Sequence, residues 1–170
     1  MYDYKPPRTN AKAKLAALSC FAITAIAFVG AAMVPKYPSI LQCIGLCFLV
    51  PVIQITARYL ILQYLYRLRE NGDGQIDLEI YAYRGGARMQ LVCRVGLSEI
   101  TAAEPLTASN RKPPEGLRRY NYHPDMKPSE GLVLSITNGD GDAELLLAPD
   151  ARLCEAFEAW AARNSQKPLD

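Results

Sequence analysis

The only histidine of the chain, His123, is the residue on which acid–base or nucleophilic catalysis would have to depend. A Ser or Cys nucleophile is weakly reactive unless a base such as His lies within hydrogen-bonding reach. Pro124 follows His123 at the end of a tyrosine-rich stretch, and no sharp nucleophile-bearing turn lies near it in the sequence. We therefore interpret His123 as a structural or solvated residue and predict that the chain is not an enzyme. No glycine-rich loop has the spacing of a nucleotide-binding motif, so no cofactor is predicted.

The cysteines do not form the pattern of a disulfide framework or of a metal site. Three lie in apolar runs and two at core-like positions of the second half: Cys20, Cys43, Cys47, Cys93 and Cys154. An odd number without close metal-ligand spacing is typical of reduced thiols, and free Cys commonly acts as a small buried apolar residue. A zinc site made of Cys93, Cys154 and His123 would require three distant segments to converge, so we predict no metal.

Residues 71–77 (NGDGQID) contain the glycine and the hydrophobic residue found in the middle of an EF-hand calcium loop. Such a loop also needs an acidic residue two positions earlier and a bidentate Glu at its twelfth position, and Arg69 and Ile80 occupy these places. We therefore predict that Gly72 or Gly74 ends a helix here and that a strand starts at once. The polar cluster at residues 138–142 is interpreted as a hairpin turn.

Two groups of cations are the candidate binding residues. The first precedes an apolar run and consists of Lys5, Arg8, Lys12 and Lys14; the second flanks the Pro113–Pro114 step and consists of Arg111, Lys112, Arg118 and Arg119. A cation beside an anionic membrane contributes on the order of 1 kcal/mol, so the first group predicts contact with lipid headgroups. The second group predicts a site for lipid headgroups or an acidic partner, and the alternative is a solvated loop. A net charge of +2 is too small to indicate nucleic-acid binding.

Two long apolar runs must position these residues. Lys36 is the only formal charge between residues 15 and 57. The first run, residues 15–34, has about 20 residues and at about 1.5 Å per residue crosses a hydrocarbon core of roughly 30 Å. The second run covers residues 39–62, and its helix is predicted to extend to about residue 70. The sequence thus predicts a transmembrane hairpin over residues 15–67.

Details of the two runs predict how the hairpin packs. The first run is rich in Ala and Gly, and such small side chains allow close approach between helices in lipid, with Gln54 of the second run facing this surface. Tyr59, Tyr64 and Tyr66 are expected at the level of the lipid headgroups, where aromatic rings with a polar tip are favoured.

The charges that flank the runs predict the orientation. Residues 1–14 form a basic tail, Arg58, Arg67 and Arg69 follow the second run, and Lys36 alone lies in the loop. By the positive-inside rule both termini are cytoplasmic, and the chain is a two-pass protein of the cell membrane. The alternative is a secretory signal cleaved near residues 29–31, which would still leave the C-terminal half in the cytoplasm.

Residues 75–97 carry the clearest strand pattern of the chain. Apolar and polar residues alternate in residues 75–83 and again in 89–97, and Gly85–Gly86 between them suits a tight turn. Two such runs around a glycine pair predict a β-hairpin with one buried face. Further strands are predicted at residues 99–106, 118–122, 132–136 and 144–148.

A final amphipathic helix follows the strands. Asp150 is a favourable N-cap, and an apolar stripe continues through Leu153, Phe157, Trp160 and Ala161. Trp160 is therefore expected to be a core anchor. The strands and this helix define a domain over residues 75–164, and residues 165–170 are interpreted as a tail.

An order of about six strands and one closing helix resembles the bacterial pleckstrin-homology-like (PH-like) domains, in which a bent antiparallel sheet is plugged by a C-terminal helix. The step from Leu97 to Ile100 (LSEI) is similar to the step between their second and third strands. The resemblance covers roughly residues 75–164 and extends to small bacterial membrane proteins that join a two-helix hairpin to such a domain. It implies an α+β chain with an N-terminal transmembrane α-hairpin and an antiparallel β-rich PH-like domain. Because a seventh strand is not found, other α+β meanders stay open.

These features lead to two functional hypotheses and a third alternative. The first is a non-enzymatic membrane-anchored module that presents a cytoplasmic PH-like domain to a protein partner or to lipid headgroups. The second is an accessory subunit of a larger membrane complex, in which the hairpin packs against other helices. An enzyme is the third alternative, since no set of acid, base, nucleophile and metal ligand is assembled.

Overall fold

A computed structural model describes residues 2–8, 10–34, 36–86, 88–138 and 141–165 of the chain. It divides into two compact units. The helical unit comprises residues 8–62 with 125–127, and the β unit comprises the described parts of 1–7, 63–124 and 128–170. Pro35, two residues of the turn predicted at 138–142 and the tail from residue 166 onward lie outside the described residues.

The helical unit is a hairpin. Helix α1 covers Ala11–Met33, and helix α2 covers Pro38–Ile55 and continues as a π-helical segment over Thr56–Ile61. Both helices are long and apolar enough to cross a membrane, as the sequence predicted.

Small side chains line the contact between the two helices. The buried residues of α1 recur at nearly heptad spacing and are Ala13, Ala17, Thr24, Ala27 and Ala31. They face Gly45 of α2, where an added Cβ would lie 2.9 Å from a ring carbon of Phe28. Thr24 Oγ1 donates a hydrogen bond to the Cys20 carbonyl at 2.9 Å and lies 3.4 Å from the Gly45 carbonyl. The expected small-residue packing is present, but Gln54 is exposed and does not face this surface.

Large apolar side chains cover the outer surface of the hairpin. Most project away from the helix contact, and they include Leu15, Leu18, Phe21, Ile26, Val29, Ile40, Leu46, Val50 and Ile53. The polarity of this pair is therefore inverted relative to a water-soluble hairpin, which buries its large apolar residues and exposes polar ones.

The second helix is shorter than predicted. Strand β2, Leu62–Glu70, begins directly after the π-helical segment. Tyr64 and Tyr66 alternate into the interior of the β unit, and Tyr66 is fully buried, donating to the Tyr122 carbonyl at 3.0 Å and accepting from the Ala148 amide at 3.2 Å. Their expected place at the lipid headgroups is therefore wrong, because both rings belong to a protein core.

The first sheet of the β unit has the order β1-β2-β3-β4. Strand β1 is Tyr2–Tyr4, β3 is Ile76–Arg84 and β4 is Gln90–Gly96. The predicted hairpin of β3 and β4 is present, and Gly85 in its turn has a φ of +55°, which favours glycine.

The second sheet has the order β5-β7-β8-β6. Its strands are β5 Ile100–Pro105, β6 Arg118–Asn121, β7 Leu132–Asn138 and β8 Gly141–Leu147. Neighbours β5/β7 and β7/β8 are antiparallel, whereas β6 runs parallel to β8. The four later strands predicted from alternation are thus all present.

Strand β1 corrects the interpretation of residues 1–14 as a tail. Tyr2 pairs with Leu68 and Tyr4 with Tyr66, across an antiparallel ladder. Between them Asp3 accepts two hydrogen bonds from Arg67, at 2.8 and 2.7 Å. The segment that precedes the hairpin and the segment that follows it are therefore neighbours in one sheet.

The closing helix α3, Ala151–Ser165, begins as predicted. Asp150 accepts a hydrogen bond from the Leu153 amide at 3.0 Å and a second one from the Tyr2 hydroxyl. Leu153, Phe157 and Ala161 are buried, with Phe157 at 0% exposure. Trp160 is only half-buried, with the Arg163 guanidinium 5.5 Å from its ring, so it is not the core anchor that the sequence suggested.

The burial difference along α3 gives a first prediction. Phe157→Ala is expected to lower the free energy of unfolding by about 3–5 kcal/mol, because it opens a cavity in a closed core. Trp160→Ala is expected to cost less than half as much. Urea denaturation of the detergent-solubilised chain, followed by circular dichroism, compares the two, and a larger effect at Trp160 would contradict the assignment.

The Asp3–Arg67 pair gives a pH prediction. The guanidinium lowers the pKa of Asp3 below its ordinary 3.8, so the pair stabilises the fold above that value and its contribution is lost as the pH falls through the lower, folded-state pKa. Asp3→Asn is expected to cost about 1 kcal/mol or less at pH 7, since the pair is partly exposed. The difference between parent and variant should shrink below pH 3.8. A difference that stays constant down to the lowest pH tested would contradict this.

Candidate functional site

Arg119 belongs to the interior of the β unit. Its side chain is 7% exposed, and its guanidinium meets the buried Glu144 carboxylate through Nε at 2.7 Å and Nη2 at 2.6 Å. Nη1 donates to the carbonyls of Asn110 at 2.7 Å and Arg111 at 2.9 Å. Arg119 therefore holds the loop that contains Pro113 and Pro114 onto the second sheet. Its expected role as a surface binding residue is wrong.

The other cations of that group are exposed. Arg111 and Lys112 lie in the loop around Pro113–Pro114, and Arg118 lies at the start of β6. Arg118 lines a cleft, which is described below.

The N-terminal cations are also divided by the structure. The Lys5 ammonium lies 5.4 Å from the ring centre of Tyr83, in the β unit. Arg8 donates to the carbonyls of Leu60 at 2.9 Å and Leu62 at 3.0 Å, which satisfies backbone acceptors at the end of the π-helical segment. Lys12 and Lys14 are exposed on the first turn of α1. Arg8 thus has a structural role, and Lys12 and Lys14 present their charges to the surroundings.

Residues 71–75 form a turn between β2 and β3, and residues 76–77 begin β3, so no helix ends here. The Asn71 amide donates to the Gln75 carbonyl at 2.6 Å, the Gly72 amide donates to the Asn71 side chain at 2.8 Å, and Gly74 has a φ of +76°. The Asp77 carboxylate accepts from Arg94 Nε at 2.8 Å. Asp77, one of the residues that fit the calcium-loop pattern, is therefore paired with an arginine.

His123 is buried, at 5% exposure, so the solvated alternative is wrong and the structural one stays a prediction. Its backbone amide donates to the Asn121 side chain at 2.9 Å. Burial raises the pKa of the Cys93 thiol, which keeps it protonated at neutral pH. Among the described residues no group of three His, Cys, Asp or Glu side chains is placed to hold a metal ion.

A cleft of about 700 Å³ lies between the two sheets of the β unit. This volume falls in the range of about 300–1,000 Å³ that is typical of ligand sites. The wall from the first sheet is β4, with Val92, Cys93, Arg94 and Val95; the other wall is made mainly of Arg118, Tyr120, Tyr122, Ile136, Asp142, Ala143 and Leu145.

The order of these residues shows how each strand faces the cleft. Consecutive residues of a strand point to opposite faces, so a wall of four consecutive residues means that β4 presents its edge. Arg118, Tyr120 and Tyr122 are alternate residues, so this side presents a sheet face. The cleft is therefore bounded by the edge of one sheet and the face of the other.

Charge in the cleft is unevenly compensated. Arg94 pairs with Asp77 at 2.6 Å and lies 3.9 Å from Glu79, and Asp142 accepts from the Thr137 hydroxyl at 2.7 Å. Among the described residues the Arg118 side chain makes no hydrogen bond or ion pair, and Asp142 has no cation beside it. Two charged groups of the cleft lining, the Arg118 guanidinium and the Asp142 carboxylate, therefore have no ion-pair partner in the described part of the chain.

Sequence reasoning selected Arg118 but missed the cleft. The alternation of Arg118, Tyr120 and Tyr122 was the available signal, since two large aromatics on one face of a short strand indicate a contact surface. What faces them depends on the order of strands in the sheets.

Comparisons of this chain with protein-family models, with curated proteins and with solved structures give no match.

The contrast between Arg118 and Arg119 gives a prediction. Arg119→Met is expected to lower the free energy of unfolding by about 3–5 kcal/mol, because it leaves the Glu144 carboxylate buried without a partner. Arg118→Met is the matched control and should change stability by about 0.5 kcal/mol or less, as an exposed residue. Equal urea midpoints for the two variants would contradict the assignment of Arg119 to the core.

Proposed function

We propose that the chain is a non-enzymatic membrane-anchored binding module. The observation that carries this is the inverted polarity of the hairpin, with small residues inside and large apolar residues outside. An apolar surface of this extent is unfavourable in water and favourable in a hydrocarbon core. The hairpin then spans the bilayer and anchors the β unit to it.

The pairing of β1 with β2 supports a two-pass arrangement. Residues 2–4 pair backbone to backbone with residues 66–68, so the two segments lie on the same side of the membrane. Two spans between them meet this requirement and one span does not. Lys12, Lys14 and Arg58 flank the spans on this side against Lys36 in the connecting turn, so the positive-inside rule assigns it to the cytoplasm.

Lys12 and Lys14 suit contact with anionic lipid. Both are exposed at the start of α1, where a membrane-spanning helix meets the headgroups. Each would contribute on the order of 1 kcal/mol beside an anionic surface.

The β unit supplies the binding function. It holds a cleft of ligand-site volume whose lining includes the Arg118 guanidinium, which has no ion-pair partner among the described residues, and we assign this cleft to a protein partner. Two sheets followed by one closing helix support kinship with the PH-like domains, whereas the parallel pairing of β6 with β8 departs from their antiparallel pattern.

An accessory subunit of a larger membrane complex is a second candidate. Gln54 is exposed near the end of an otherwise apolar helix, and a polar side chain facing lipid is costly unless another helix supplies a partner. A shallow apolar groove on α2 is lined by Ile40, Cys43, Ile44 and Cys47. Purification in mild detergent distinguishes the candidates. A second protein that co-purifies in a fixed ratio with the parent chain and with Gln42→Leu, but not with Gln54→Leu, supports the accessory-subunit hypothesis.

The membrane assignment predicts a specific topology. A reporter that is active only outside the cytoplasm should be inactive when fused after Asp170 and active when inserted at Lys36. The reason is that both ends of the hairpin stay on the cation-rich side. Activity after Asp170 would contradict the orientation, and release of the chain from membranes by alkaline carbonate would contradict the anchoring.

A further inference from the structure

The outer edge of β4 carries backbone groups that no strand of the described chain pairs with, since β4 is the last strand of its sheet. The Gly96 amide donates to the Glu99 carboxylate at 3.2 Å, so it points away from β3. The backbone direction alternates along an antiparallel strand, and Arg94 is two residues before Gly96, opposite Glu79. The N–H and C=O of Arg94 therefore point to the outer edge as well.

The same edge is irregular and apolar. The register passes from Ile80–Cys93 to Tyr81–Leu91, so Val92 has no partner in β3 and forms a bulge. Met89, Leu91 and Val92 are exposed at 55%, 44% and 38%. An exposed apolar edge strand is a template for pairing with another chain.

The cleft limits what can pair there. A strand added to β4 would lie along the cleft, with alternate side chains directed at the face that carries Tyr120 and Tyr122. In a second copy of the chain β4 is already paired with its own β3, so both strands would have to fit into the cleft together. A lone extended segment needs only one strand spacing of about 4.8 Å.

Resting on the proposed function, we propose that the partner of the cleft is an extended peptide segment that adds as a strand to the outer edge of β4. The Arg94 backbone provides the central hydrogen-bonding pair. Alternate apolar side chains of the segment pack on Tyr120 and Tyr122, and an acidic side chain pairs with Arg118. This is recognition by strand addition, in which main-chain bonds give affinity and alternate side chains give specificity.

The probe is a fluorescent eight-residue peptide that alternates Val and Thr and carries one Glu, made with the Glu at either end. Binding to the full chain in detergent micelles is measured by fluorescence anisotropy. Two N-methylated forms of each peptide are made, one methylated at the odd-numbered residues and one at the even-numbered residues. One form lacks the N–H donors that face β4, and the other keeps them. We expect one methylated form to lose binding and the other to retain it, with slowed amide exchange at Arg94.

Charge reversal tests the side-chain part of the proposal. Arg118→Glu is expected to weaken binding of the Glu peptide at least about tenfold, since it replaces an ion pair by two like charges. It should strengthen binding of a peptide with Lys in place of Glu. Arg111→Glu is the matched control: Arg111 is exposed and outside the cleft lining, so neither peptide should be affected.

Several outcomes overturn strand addition. The first is that neither Glu peptide binds the parent chain, and the second is that both methylated forms of the peptide lose binding equally. The third is that protection of the Arg94 amide from exchange rises with protein concentration alone, which would indicate pairing with a second copy. A protein could also co-purify with the chain and be lost in Tyr120→Ala, but not in Arg118→Glu or on addition of the peptides. That result would support a binding module and contradict only binding by strand addition.

Discussion

The three-residue ladder between β1 and β2 is the constraint on which the rest of the architecture depends. It joins the segment before the helical hairpin to the segment after it, and Tyr2 extends the connection to the aspartate that caps α3. Each hydrogen bond of such a ladder contributes about 0.5–1.5 kcal/mol, but its position matters more than its size. Under the proposed membrane anchoring, a hairpin whose two ends belong to one sheet crosses the bilayer an even number of times.

Buried carboxylates pair with arginines of a neighbouring strand at two places in the β unit. Asp77 and Glu79 on β3 face Arg94 on β4, and Glu144 on β8 faces Arg119 on β6. A buried charge is costly unless it is paired and hydrogen-bonded, so each carboxylate specifies which strand lies beside it. The first pairing also places Arg94 with its backbone at the outer edge of β4, and the second leaves the neighbouring Arg118 with its side chain in the lining of the cleft.

The sequence predicted elements wherever one periodicity dominated. The alternation in residues 76–84 and 90–96, the two apolar runs and the Asp150 cap all correspond to elements in the structure. Strand β2 was missed because residues 62–67 continue an apolar run, and an apolar run alone does not distinguish a helix from a buried strand. Strand β1 is too short for a period to be visible. Arg118 and Arg119 are adjacent and identical in type, so only the three-dimensional neighbours show that one is buried and the other exposed.

The position of β1 also sets an order of events during synthesis. Residues 2–4 are synthesised before their pairing partners in β2, which follow roughly 60 residues later, after both apolar helices. At about 5–20 residues per second, that is a wait of roughly 3–12 s, during which β1 has no partner strand. The first sheet is therefore completed only after the whole helical hairpin has been synthesised, and β1 pairs last with a strand that the hairpin has brought back to it.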